Sequence, residues 1–180
     1  PNNSVARVLA AEAAEQLGDF DRAFNEYVEA CRSEPENWEA LSRLGAMHIA
    51  MRRSEPFGQL FNRYIAERPN HADAIRLFFD VGLAGGRQEF SRSAIQRLAV
   101  IPTGLALSRS LAAKMRARTK PAEAVSILTQ SHLDLTSPRN ADALTTLVEI
   151  LGPLERHKHA IARVDAAVAA HPDFARFHEI

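Results

Sequence analysis

The chain has 180 residues, of which 46% are hydrophobic, and its 22 basic and 22 acidic side chains leave no formal net charge. The hydrophobic share is ordinary for a folded protein and excludes wholesale disorder, while zero net charge gives no global pull toward nucleic acid or an anionic membrane. The single cysteine, Cys31, cannot form an internal disulfide, and the sequence has no run of about 18 apolar residues, the length a membrane-spanning helix needs.

In chain order, Ser4 stands where it can cap a first helix. The layout is clearest in residues 38–71. There Trp38, Leu41, Leu44 and Gly45 form one apolar stripe of helical period. Phe57, Phe61 and Tyr64 form a second after a short polar break, and Pro69 closes the stretch. This stretch resembles the tetratricopeptide repeat, a helix hairpin with a tryptophan, leucine and glycine in its first helix, small and aromatic residues in its second, and a closing proline. The resemblance implies a right-handed, all-α solenoid of about five hairpins over residues 4–37, 38–71, 72–104, 105–140 and 141–174. Residues 175–180 are then the start of a truncated capping helix.

On that frame Gly18-Asp19-Phe20 is the turn of the first hairpin, and Ala23, Tyr27, Ala30 and Pro35 take the family's second-helix positions. In the second, Gly45 lets helices approach closely, His48 replaces a usual tyrosine, and Pro56 suits the first turn of a helix. In the third, Ile75, Phe78 and Phe79 make an apolar helix that Gly82, Gly85 and Gly86 are expected to end. Phe90, Ile95, Leu98 and Ile101 then keep helical spacing as far as Pro102. The fourth has Leu111, Ala112 and Met115, a second helix starting at Lys120-Pro121, and Ala124, Leu128 and Ser131 at the family's positions. In the fifth, Gly152-Pro153 stops the first helix early, before Ala160, Val164, Ala167 and Pro172 recover the pattern. A lone hairpin of this length cannot bury its apolar face, whereas stacked neighbours can.

The resemblance also implies a concave face lined by the first helix of each hairpin. Its positions carry over to Ser42, Ala46 and Ile49, to Arg76, Asp80 and Leu83, and to Arg109, Ala113 and Arg116. Ala46, Ile49, Leu83 and Ala113 would form an apolar floor with the arginines standing over it. Residues 90–122 hold seven basic and no acidic residues, against net −4 before them and −3 after. The expected partner is therefore a peptide or protein segment carrying apolar and acidic residues. The plainer reading is that the arginines are solvated and pair with Asp73, Asp80 or Glu149. The family's clamp for a partner's terminal carboxylate is rejected in the first hairpin, where Val8 and Glu12 occupy its places.

Catalytic and metal signatures are not found: there is no H-E-x-x-H, paired C-x-x-C, Walker loop or G-x-S-x-G. His157 and His159 are two apart and point in different directions on a helix, and Cys31 and Trp38 read as packing residues, Trp38 wedged between the first two hairpins. No cofactor and no metal are expected. The basic stretch from Arg92 to Lys120 raises RNA binding, but it lacks stacking aromatics beyond Phe90 and is flanked by acidic segments, which argues against it. The expectation is a non-catalytic, cytoplasmic protein-interaction scaffold. Because the chain starts at Pro1 rather than Met, the alternative is the repeat region of a larger enzyme such as a glycosyltransferase. Self-association through the array ends is also expected, with Phe174 and Phe177 as uncovered apolar surface.

Overall fold

A computed structural model describes residues 3–52, 55–130 and 133–180; Pro1 and Ser131, both named above, lie outside them. Among the described residues the chain forms ten α-helices, three short 3-10 turns and no strand. The helices follow one another as α1 (Ser4–Gln16), α2 (Phe20–Ser33), α3 (Trp38–Met51), α4 (Phe57–Glu67), α5 (Ala72–Ala84), α6 (Gln88–Val100), α7 (Leu105–Ala117), α8 (Pro121–Thr129), α9 (Ala141–Leu151) and α10 (His157–Ala170). They fall into two compact units, one ending at Ala94 and the other beginning at Ile95.

In the first unit the helix starts are built by side-chain caps. Asn3, not Ser4, caps α1: its carboxamide oxygen accepts from the amides of Val5 at 3.0 Å and Ala6 at 3.3 Å. Ser4 is the first helical residue and is buried, and the Asn37 side chain satisfies its hydroxyl by donating to it at 2.5 Å while capping α3 through the Ala40 amide at 2.9 Å. One carboxamide thus starts α3 and ties it to the start of α1. Gly18, at φ +76°, makes the turn into α2, which Asp19 caps through the Arg22 amide at 3.2 Å.

α3 packs against α2 and lies beside α5. The approach to α5 needs Gly45, where an added Cβ would sit 2.6 Å from Leu77. Tyr27, Leu41, Leu44, Phe57, Phe61, Tyr64, Ile75 and Phe79 are the large, fully buried side chains of this unit. Phe78 stacks on Phe61 at 4.0 Å between ring centroids and on Phe90 at 4.5 Å. Gly82 does not end α5, as the sequence suggests. It lies inside the helix, where a Cβ would meet Phe90 at 2.6 Å and the Arg87 carbonyl at 2.9 Å, and the chain turns only at Gly85 and Gly86.

The second unit centres on α7, α8 and α9, with Ala113, Ala124, Leu128, Ala143 and Leu147 in one core. α8 begins at Pro121, whose missing N–H costs nothing at a helix start. The α8–α9 connection is held by Asp134, which accepts from the Thr136 hydroxyl at 2.6 Å and amide at 3.0 Å. Those bonds keep its carboxyl below the usual value. α9 stops at Leu151 and a 3-10 turn, Gly152–Leu154, follows. Residues 175–178 form a 3-10 turn rather than the start of an α-helix. Phe177 is fully buried there, with Ala141, Leu144 and Ala167, so the chain's last aromatics are not the uncovered surface expected of them.

A repeat interval is visible in the polar contacts themselves. Asn37–Ser4, Arg43–Glu12, Arg68–Glu36 and Arg87–Glu55 in the first unit, and Arg176–Asp142 in the second, all join residues 31 to 34 apart. Each ion pair is partly solvated and contributes little on its own. Their common spacing shows like positions of successive hairpins brought side by side.

Candidate functional site

The first unit places six of the expected site residues on two neighbouring helices at matching turns. On α3, Ser42 and Ile49 are half-buried and Ala46 is exposed; on α5, Arg76 and Leu83 are exposed and Asp80 is half-buried. Spacings of four and three put each trio on one helix face. These two helices carry apolar Ala46, Ile49 and Leu83 and also Arg76, which has no ion-pair partner among the described residues. The Ser42 hydroxyl is turned back onto the Glu39 carbonyl at 2.9 Å.

In the second unit Arg109 and Arg116 are exposed on α7, but Ala113 between them has no exposed surface. Its methyl group is part of the core with Ala124 and Leu147. Ala113 is therefore a packing residue and not part of a floor: its short side chain is covered, whereas the longer Arg109 and Arg116 side chains reach water. Arg116 pairs with Glu123 at 3.4 Å, whereas Glu149, expected as an arginine partner, is taken by Lys114 at 3.2 Å. Arg109 has no ion pair among the described residues. Lys120 at 2.6 Å and Arg116 hold the Glu123 carboxyl below its usual value, the Lys120 bond contributing most.

Trp38 has its aromatic contacts within its own stretch, residues 38–71. It packs on His71 at 4.6 Å and Tyr64 at 5.9 Å between ring centroids, and it lines a cleft of about 630 Å³ together with Pro69 and the Arg68–Glu36 ion pair. The Tyr64 hydroxyl and His71 Nδ1 share a 2.5 Å hydrogen bond, and burial raises the Tyr64 phenol above its ordinary value. Nothing in the sequence pattern announced this cleft, since tryptophan and tyrosine at helical spacing read simply as core.

Cys31 is buried, and burial pushes its thiol up to about 12, so it stays protonated at neutral pH and is a poor nucleophile. Tyr27 is buried likewise, and its hydroxyl donates to Glu15 at 3.0 Å; burial and that carboxylate raise its phenol. Among the described residues no three His, Cys, Asp or Glu are grouped to hold a metal ion, and no helix is long and apolar enough to cross a membrane.

No protein-family model matches the chain, and no curated protein matches it. Several solved structures are similar, among them these two. The crystal structure of the MamA protein is 14% identical, with 96% of this chain and 94% of that one covered, at a TM-score of 0.55. YrrB, described as a TPR protein with an unusual peptide-binding site, is 15% identical over 99% of this chain and 91% of that one, at 0.49. Similarity at this identity is a similarity of fold. With the helix pairs and their repeat interval, the fold class is an all-α helical repeat.

Proposed function

We propose that this chain is a non-catalytic binding scaffold that holds a peptide or protein segment against the exposed faces of its first helices. In the first unit that face is Ser42, Ala46 and Ile49 on α3 with Arg76, Asp80 and Leu83 on α5. In the second it is the Arg109 and Arg116 side of α7. The observation that carries the reading is that Ala46 on α3 and Arg76 and Leu83 on the neighbouring α5 are all exposed, Arg76 without an ion pair among the described residues. Such a surface suits apolar anchors and a carboxylate, which a guanidinium can bind in two-pronged fashion.

The test uses peptides selected on the protein from a random library. Arg109→Glu with Arg116→Glu is expected to weaken the selected peptides at least tenfold while far-ultraviolet circular dichroism stays helical. Both side chains are exposed, so the fold has little at stake. Unchanged affinity removes the α7 face from the account.

A second reading has its own observation. Every exposed residue of α1 and its flanks from Asn3 to Leu17 is uncharged, and Val5, Leu9 and Leu17 are 60%, 61% and 82% exposed, with Phe20 close behind in sequence. A monomeric protein seldom leaves such a stripe open. An uncharged stripe can pair with its own copy about a two-fold axis without like-charge repulsion. Self-association through α1, rather than through Phe174 and Phe177, is the form this reading takes.

A further inference from the structure

The end of α9 leaves a place in the second unit that no regular helix fills. α9 has 11 residues against 13 in its neighbour α7, because Pro153 has no N–H to continue the ladder and the chain leaves in a 3-10 turn. Glu155, at φ +57°, then carries the backbone away. The shortfall leaves a cleft of about 380 Å³ between the end of α7, the start of α8 and this turn. Its walls are Ala117, Pro121, Ile150, Pro153 and Leu154, all apolar, and the volume is at the small end for binding sites. It has room for one large apolar side chain.

The rim supplies a charge. Lys114 and Arg118 stand at the α7 side and Glu149 at the α9 side, where Glu149 already holds Lys114 at 3.2 Å. Arg118 is exposed and, among the described residues, has no ion-pair partner. It also lies in the stretch 90–122, which contains no acidic residue to satisfy it. A carboxylate brought to this rim would meet a guanidinium that needs no existing pair to be broken.

We propose that this cleft is a docking site for a peptide segment of another protein, with one large apolar side chain seated on Ile150 and Leu154 and an adjacent Asp or Glu on Arg118. The proposal rests on the scaffold reading but concerns residues outside the faces assigned above. Its selectivity comes from Arg118, since Lys114 is already neutralised. Reversing that one charge should reverse the preference of the neighbouring position.

The test runs a random phage-displayed peptide library in parallel on the wild-type chain, on Arg118→Glu, and on Arg109→Glu with Arg116→Glu, each checked for helicity. The wild type is expected to enrich Leu, Ile, Phe or Met next to Asp or Glu. The leading peptide should lose at least tenfold in affinity on Arg118→Glu, and selection on that variant should place Lys or Arg beside the apolar residue. The same acidic motif enriched equally on Arg118→Glu overturns the cleft. If that motif is lost with Arg109→Glu and Arg116→Glu, the α7 face stands without the cleft. Failure of any peptide to enrich overturns both.

Discussion

Two glycines show how neighbours decide a residue. Gly45 and Gly82 both sit inside helices, where glycine is about 1 kcal/mol less favourable than alanine. Each is kept by what lies opposite. At Gly45 the obstacle is the Leu77 side chain, which can swing. At Gly82 it is the Cβ of Phe90 together with the Arg87 carbonyl and the Ser91 amide, which cannot move without moving the backbone. Gly82→Ala is therefore expected to destabilise by about 2 kcal/mol, within the usual cost of overpacking. Gly45→Ala should stay within about 1 kcal/mol of the wild type, since propensity offsets part of the crowding. Urea denaturation at constant m-value measures both; equal losses would show that the two contacts are equally rigid. The sequence announced Gly45 through its place in the repeat but misread Gly82 as a helix end. A glycine near two others looks like a breaker until its distance to Phe90 is known. The burial of Ala113 was not legible for the same reason: spacing sets which residues share a side of α7, but only packing decides which of them meets water.

Among the helices, the period of the apolar residues was legible, because it depends on local spacing alone. The Lys120-Pro121 start of α8 and the early end of α9 were legible too, since proline acts within its own turn. The open stripe of α1 was not. Val5 and Leu9 at helical spacing look the same in sequence whether covered or bare. The self-association reading is tested on this element. Sedimentation over a dilution series is expected to show a mass rising with concentration for the wild type. Leu9→Glu with Leu17→Glu should stay monomeric throughout, and both side chains are exposed enough for the fold to tolerate the change. A wild type that is monomeric at every concentration ends that reading.

For the molecule, each helix pair of the first unit owes its stability to the pair beside it. Hairpins of this length bury too little alone. The ion pairs that join successive hairpins are solvated and weak, so cohesion comes from buried aromatic contact across helices, with Phe78 of α5 between Phe61 of α4 and Phe90 of α6. With that packing in place, Ala46 on α3 and Arg76 and Leu83 on α5 remain exposed. Native-state hydrogen exchange on Phe78→Ala tests the mutual support of the pairs most directly. Truncating a buried phenylalanine costs about 3–5 kcal/mol. If hairpins hold one another, the amides of α3, α4 and α5 lose protection together by a similar amount. Protection lost in α5 alone, with α3 and α4 unchanged, would contradict the account.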